Sequence, residues 1–385
     1  MRRDRVLAWF DRGLDAVDAR RLVANRLSGR EPCGMIAIGK AARSMAWGAA
    51  DAWGAVSGVC VCDSAGEVPA GVELLVGDHP VPGPASFAAG RRVMEVAAEP
   101  GPVILLLSGG GSALCEHPLP HVPEEFVAMA TRRLLAAGAS IGDTNLVRSH
   151  LSALKAGGLA RAAGGDILTL ALSDVGPLGP ETIASGPTLS PGRDPESALR
   201  VMRAHGIVVP AGVEEAVRSV PTEPVESPFE VLADGRDAAG ALVEAARADG
   251  VEARLHDGWL DGPVPDALLR FLSFADTGVT VWAGESTLEV AGDGRGGRNT
   301  HAALLGAVRI AGEDALFAAL ATDGVDGSSG AAGAIVDGTT VERGGDPTPA
   351  LAAFDSATYL EAAGDLVVTG RTGTNVADLW VLWRW

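Results

Sequence analysis

Lysine is almost missing from this chain. Of 31 basic residues only two are lysines, Lys40 and Lys155, and the other 29 are arginines. A generic surface cation here is therefore an arginine, and each lysine becomes a candidate for a point-charge role. Cysteine is scarce too. Cys33, Cys60, Cys62 and Cys115 form no pair of pairs, which excludes a zinc-finger arrangement and fits a reduced compartment. Aromatics reach only 4%, too few for a stacking surface. Positive charge is outweighed, 49 acidic residues against 31 basic ones for a net −18, so a nucleic-acid partner is not expected. No apolar run is long enough to span a bilayer, and Met1–Arg5 leads into an amphipathic helix rather than a signal peptide. A cytoplasmic protein that engages no membrane is expected.

Several catalytic signatures are also missing. Gly34–Lys40 satisfies G-x-x-x-x-G-K, but Ala41 follows without a hydroxyl and Met35–Ile38 reads as a strand, so a P-loop is excluded. There is no G-x-S-x-G elbow, H-E-x-x-H pair or H-R-D loop.

What is abundant is glycine, 51 of 385 residues, with 47% hydrophobic residues to build a core. Length accommodates two domains. The first half alternates apolar runs (35–38, 58–63, 74–76, 103–107, 167–172) with Ala-rich helices (4–27, 41–55, 84–98, 123–137, and 143–163 with a Gly157-Gly158 break). Continuous apolar strands point to a parallel sheet covered on both faces. Ser219–Pro228 carries three prolines and no periodicity, and reads as a linker. The pattern then restarts, with strands at 229–233, 251–256, 278–283, 287–291 and 315–321 and helices at 236–249, 263–275 and 298–311. Short strands follow near 333–337, 365–369 and 379–383. The expected architecture is α/β: an N-terminal Rossmann-like, doubly wound parallel-sheet domain (1–222), a C-terminal mixed-sheet α/β domain (223–385), and a ligand cleft between them.

Glycine loops follow the strands. Ser108-Gly109-Gly110-Gly111-Ser112 leaves a buried strand and exposes successive N–H groups, which favours an anion site over a simple turn. Gly292–Gly297 satisfies G-x-G-x-x-G and opens a helix. With Arg295 and Arg298 beside it, it reads as a phosphate clamp rather than a dinucleotide fingerprint. Asp323 and Asp326, in the loop after 315–320, either hold a metal or proton or merely bond their own turn. Thr369–Asn375 is a further hydroxyl-rich glycine loop containing Arg371. His79, in Asp-His-Pro-Val-Pro, either touches ligand or shapes its turn.

Taken in order, these segments resemble the bacterial glycerate 2-kinase family, once annotated hydroxypyruvate reductase. The resemblance rests on Ile38-Gly-Lys-Ala-Ala42, Gly77-Asp-His-Pro-Val-Pro82, Leu107–Ser112, Asn145-Leu-Val-Arg148 and Lys155–Ala160. It continues through Leu172-Ser-Asp-Val175, Ala184-Ser-Gly-Pro-Thr188, Gly284–Thr287, Gly294–Asn299, Thr322–Gly327, Ala331–Ile335 and Thr372–Leu379. It implies ATP-dependent, Mg²⁺-assisted phosphoryl transfer to the 2-hydroxyl of D-glycerate, by a monomer or homodimer acting on small molecules. Lys40 and Arg298 match the family's phosphoryl-centre lysine and the arginine of its Gly-Gly-Arg-Asn motif, and Asp174 or Asp323 is expected to accept the hydroxyl proton, which makes Lys40, Arg298 and Asp174 the catalytic candidates. Ser108–Ser112, His79, Arg148 and Lys155 would bind substrate or phosphate. Gly294, Gly296, Gly297, Asn299, Thr372, Gly373, Thr374 and Asn375 would bind nucleotide, and Asp323 the metal. Lys40 and Arg298 are expected from opposite domains.

The chain departs from the family pattern at Asp143-Thr144, Gly176–Pro180, Thr300-His301 and Arg371. All flank glycine loops expected to wall the ligand, so a relative acting on another polyol or cyclitol is an alternative. An NAD(P)H-dependent reductase of hydroxypyruvate is the alternative from another class, supported by the Gly292–Gly297 loop.

Overall fold

The computed structural model describes residues 2–273 and 277–385. It divides into two compact units, one comprising Ala19–Ser173 and Leu178–Leu232, the other Met1–Asp18, Asp174–Pro177 and Ala233–Trp385. Each is α/β with one six-stranded sheet.

The first unit holds β1 (Gly34–Ile38), β2 (Gly58–Cys62), β3 (Val72–Val76), β4 (Val103–Leu107), β5 (Ile167–Ser173) and β6 (Phe229–Asp234), in the spatial order 3-2-1-4-5-6. The β1–β2, β2–β3, β1–β4 and β4–β5 pairs are parallel, and β4 (Val-Ile-Leu-Leu-Leu) is buried throughout. Its helices are α2 (Ala19–Leu27), α3 (Ala42–Trp53), α4 (Pro84–Ala97), α5 (Gly111–Leu114), α6 (Glu124–Ala136), α7 (Ile141–Leu151), α8 (Gly158–Ala162), α9 (Pro195–Ala204) and α10 (Ala211–Arg218), with a 3₁₀ turn at Pro180–Ser185. Because chain order runs outward in opposite directions from β1 and β4, the switch point lies between those two strands.

The second unit orders its strands β11 (Leu366–Val367), β10 (Gly333–Asp337), β9 (Ala315–Ala321), β12 (Asp378–Arg384), β8 (Gly278–Gly284) and β7 (Ala253–Leu255). Only β7–β8 is parallel, so the expected mixed sheet is present. Around it lie α1 (Arg2–Ala16), α11 (Gly235–Ala248), α12 (Val264–Ser273), α13 (Arg298–Arg309), α14 (Thr340–Gly344), α15 (Thr348–Ala352) and α16 (Ser356–Ala362).

Three expectations change. The helix expected over 4–27 breaks at Val17–Asp18, which is also a boundary between units. α1 buries Val6, Trp9, Phe10 and Gly13 in the second unit. Gly13 sits so close to α11 that a Cβ would lie 2.9 Å from the Ala238 carbonyl oxygen, and Trp9 lies 5.1 Å from Trp383. The boundary expected at 222/223 therefore gives way to interleaved segments. Ser219–Pro228 is followed by β6 in the first sheet, and Val225 bonds Ser190 in both directions at 2.9 Å. Finally, 287–291 is loop rather than strand, with Val290 exposed. Residues 274–275 of the helix expected over 263–275 lie outside the described residues.

Helix α3 crosses α2 at Gly48, where a Cβ would fall 2.3 Å from the Arg20 carbonyl oxygen. Gly48→Ala gains about 1 kcal/mol of helix propensity but forces the crossing apart. A net loss of about 1–2 kcal/mol is expected in thermal unfolding; a raised melting temperature would contradict this packing.

Candidate active site

The switch point of the parallel sheet places two turns side by side. Gly39 and Lys40 follow β1, and Ser108–Ser112 follow β4. The Lys40 N–H donates to Gly109 O at 3.0 Å, and the Ala41 N–H to Ser108 Oγ at 3.0 Å. Gly39, at φ +121°, is pressed onto Ser108, where a Cβ would lie 2.3 Å from Oγ. Gly110, at φ +83°, leaves room for the Lys40 side chain, whose Cγ would lie 3.1 Å from an added Cβ. Among the described residues, the N–H groups of Gly109, Gly110 and Gly111 donate to no backbone carbonyl. A lysine side chain thus runs past Gly110 in a loop of backbone donors at the carboxyl end of a parallel sheet, an arrangement suited to a multiply charged anion. Ser108 is the exception within the expected set. It is fully buried, and its hydroxyl stitches the two turns together.

The far side of the loop is hydroxylic. Ser112 Oγ lies 2.7 Å from Ser185 Oγ, and Ser185 Oγ donates to Asn145 Oδ1 at 2.9 Å. Ser185 is delivered by three successive left-handed residues, Ala184 (φ 48°), Ser185 (φ 60°) and Gly186 (φ 65°). Two of these are not glycine, a strain of about 1–3 kcal/mol each. Arg148, one helical turn after Asn145 on α7, has a buried Nε without a hydrogen-bond partner, and burial pulls its pKa below the usual arginine value. His79 is exposed in the loop after β3. Lys155 is not at a ligand surface: it is fully buried and ion-paired with the equally buried Glu116.

In the second unit, Gly284 at the end of β8, Ala321 at the end of β9 and Asp378 at the start of β12 pair across one sheet edge. There Arg298 is held by two carboxylates. Nε donates to Asp378 Oδ2 at 2.6 Å, Nη2 to Asp378 Oδ1 at 3.1 Å, and Nη1 to Glu285 Oε1. The guanidinium has five N–H donors; three are used, and the side chain keeps 31% exposure. Burial pushes the Asp378 carboxyl up, and the Arg298 charge acts against that shift. Asp174 also belongs to this unit and accepts from Asn375 Nδ2 at 3.3 Å. Thr372 donates its hydroxyl to Thr322 O. Asp323 is buried and accepts the Val325 N–H at 2.9 Å. Among the described residues, no group of three His, Cys, Asp or Glu is placed to hold a metal.

The Gly292–Gly297 loop, expected to clamp phosphate, is packed against the protein's own groups. The start of α13 is already occupied by a carboxylate of the protein itself: Asp326 accepts the N–H groups of Asn299 (2.9 Å) and Thr300 (2.8 Å) and the Thr300 hydroxyl (2.9 Å). Added Cβ atoms would meet Ala353 O and Asp355 N at Gly294, Ser356 Oγ at Gly296 and Asp326 Oδ1 at Gly297, so close packing explains these glycines. Asn299 is a fully buried core residue that accepts from Trp380 Nε1 at 3.1 Å. Arg295 pairs with Glu361 rather than converging with Arg298. Thr374 is equally structural, donating to Val17 O at 2.7 Å. The departure at Thr300-His301 also lies inside the protein, since Thr300 Oγ1 accepts the Gly297 N–H and His301 stacks on Phe354. Sequence reasoning left Glu285 and Asp378 out of the site and had Asp326 only as one of two candidates for a metal or proton. The one local signal was an aspartate opening an otherwise apolar strand at 378.

Comparison with known proteins agrees with this architecture. A domain family described only as of unknown function matches residues 5–218, and the MOFRL family matches 278–378. A D-glycerate 2-kinase of Thermotoga maritima is 35% identical, over 90% of this chain and 89% of its own length. The chain belongs to the glycerate 2-kinase family. A crystal structure of glycerate kinase from Thermotoga maritima superimposes with a TM-score of 0.86 over 99% of both chains, at 31% identity. The family also includes an Agrobacterium vitis protein provisionally named hydroxypyruvate reductase, 36% identical over 96% of this chain and 92% of its own length.

Removing the internal cap of α13 tests this assignment. Asp326→Ala strands two buried N–H donors and is expected to cost about 2 kcal/mol or more, read as an earlier thermal transition. An unchanged transition would reopen the helix start as a ligand site.

Proposed function

We propose that this chain is an ATP-dependent kinase that transfers the γ-phosphoryl group to the 2-hydroxyl of a small hydroxy acid, D-glycerate by analogy with its named relatives. The observation that carries the reading is the placement of Lys40. One of the chain's two lysines is ion-paired with Glu116 in the interior; the other lies at the switch point, its side chain running past Gly110 in the glycine loop. Phosphoryl transfer passes through a loose transition state with charge spread over the equatorial oxygens, so cations and fixed dipoles supply most of the catalysis. We assign Lys40 and the Gly109–Gly111 amides to that charge, and Arg298, oriented by Asp378 and Glu285, to the same role through its two remaining donors. Asp174, fixed by Asn375, is assigned as acceptor of the hydroxyl proton. Thr372, Gly373 and Asn375 are assigned to the nucleotide.

Mg²⁺ arriving with ATP needs only one or two protein carboxylates, since phosphates and water supply its other ligands. Asp323 fits this need, whereas Asp326 is consumed by α13. The bound ion would neutralise the phosphates. Four free thiols among the described residues accord with a reduced, cytoplasmic setting, and no described helix is long and apolar enough to cross a membrane. The reductase reading is weaker on one geometric ground: the helix start that would receive a dinucleotide pyrophosphate is filled by Asp326.

Steady-state release of ADP with D-glycerate as acceptor is the test. Lys40→Ala and Arg298→Ala are each expected to lower kcat by about 10²–10³-fold, with folding of each variant checked by its thermal transition because Arg298→Ala leaves the buried Asp378 unpaired. Near-native turnover in either variant removes that residue from the role, and NADPH oxidation with hydroxypyruvate would favour the reductase.

A further inference from the structure

The segment Asp174–Pro177 follows β5 in the chain but belongs to the second unit, where it rests on Trp259. Gly176 stands at φ +56°. A Cβ there would fall equally close to Cδ2 and Cε2 of Trp259, far inside contact distance, with Cε3 at 2.8 Å. The first two atoms form the bond that the two indole rings share, so the glycine lies over the face of the ring system and not at its edge. Only glycine meets both demands, the left-handed φ and the missing Cβ. Pro177 follows and fixes its own φ, which stiffens the exit from this contact. The stretch is also one where the chain departs from the family pattern, at Gly176–Pro180.

The indole is held through both of its chain neighbours. Gly258 O accepts from Trp282 Nε1 at 3.0 Å, the Leu260 N–H donates to Ala283 O at 2.8 Å, and Leu260 O accepts the Glu285 N–H at 2.8 Å. Trp259 itself is half-buried. Its Cη2 lies against Gly235, which opens α11: a Cβ on Gly235 would be 3.2 Å from that atom and 2.7 Å from Val376 O. Val376 follows Asn375, whose Nδ2 donates to Asp174. The contacts therefore close a ring, from Asp174 through Gly176, Trp259, Gly235 and Val376 to Asn375 and back. Asp174 is held by an amide on one side and, two residues later, by an aromatic face.

Resting on the kinase reading, with Asp174 as acceptor of the hydroxyl proton, we infer that Trp259 is a positioning residue for that carboxylate. A base works only within about 3 Å of the proton it takes, and a glycine two residues on gives the main chain freedom to drift from that place. The indole removes this freedom without touching substrate. Through Leu260 its loop is also tied to Glu285, which helps to orient Arg298. The proton acceptor and the guanidinium thus share one support, a second layer of the kind that keeps reacting groups in register.

ADP release with D-glycerate gives kcat and KM for wild type, Trp259→Leu, Trp259→Phe, Gly176→Ala, Asp174→Asn, and Asp174→Asn combined with Trp259→Leu. Hydrogen exchange follows the amides of residues 174–176. Trp259→Leu is expected to lower kcat by about 10- to 100-fold with the KM for ATP little changed. Trp259→Phe, which keeps an aromatic face, should recover most of the loss. In the Asp174→Asn background Trp259→Leu should cost nothing more, because the carboxylate through which it acts is gone. Gly176→Ala, whose Cβ would enter the ring, should reproduce the loss, and it carries the comparison if Trp259→Leu does not fold. An unchanged kcat in Trp259→Leu, or a loss that adds in full to that of Asp174→Asn, overturns the inference and leaves the kinase standing. So does an Asp174→Asn enzyme with wild-type turnover. If wild type releases no ADP, the kinase reading fails and the role of Trp259 toward the base falls with it. Faster exchange at 174–176 in Trp259→Leu would then still uphold the indole as the clamp of this segment, and unchanged exchange would refute that as well.

Discussion

One close approach of main chain to main chain governs the first unit: the turn after β1 pressed against the turn after β4. Gly39 is there because no Cβ fits against Ser108, and Ser108 is buried because its hydroxyl is the fastener. With the two turns locked, the Lys40 backbone is pinned to Gly109 and its side chain runs across Gly110. The serine of the motif is thus structural, and the neighbouring amides of Gly109, Gly110 and Gly111 are the ones that donate to no backbone carbonyl among the described residues. The parallel order of β2, β1, β4 and β5 places this approach at the switch point of the sheet, where sheets of this kind bind their ligands.

The second unit handles charge in the opposite manner. Its prominent arginine is oriented by its own carboxylates, and the prominent helix start is neutralised by Asp326 before any ligand arrives. Arg298 keeps two donors and a fixed direction. A guanidinium held by a bidentate aspartate forfeits little orientation when it meets an incoming anion, which is what preorganisation requires. The glycines of the 292–297 loop serve this geometry indirectly, by letting α15, α16 and the Asp326 loop close upon α13.

The pattern of apolar runs was enough to read the two sheets, because β4 and β9 are buried on both faces and show it as unbroken hydrophobic stretches. Helices α9 and α10 escaped notice, being short and separated by turns. The break at Val17–Asp18 was invisible locally, since helical spacing continues through it; tertiary contacts of Trp9 and Gly13 decide which unit α1 joins. In the site, the turns carrying Lys40 and Gly109–Gly111 were legible as glycine after strand. Lys155, Asn299 and Thr374 turn out to bond other groups of the protein, and the sequence could not show this for one reason: a polar residue in a motif looks the same whether it faces ligand or satisfies a buried partner. Only the positions of Glu116, Trp380 and Val17 distinguish those cases.

The central claim is that the Lys40 ammonium meets the phosphoryl group in flight. It is tested most directly by trapping ADP with aluminium fluoride and D-glycerate, which imitates that group, and solving the complex. The account predicts a stable trapped complex with Lys40 Nζ within hydrogen-bond distance of a fluoride, and no trapping by Lys40→Ala. A complex that forms equally well without the lysine, or one whose fluoride lies beyond its reach, would contradict it.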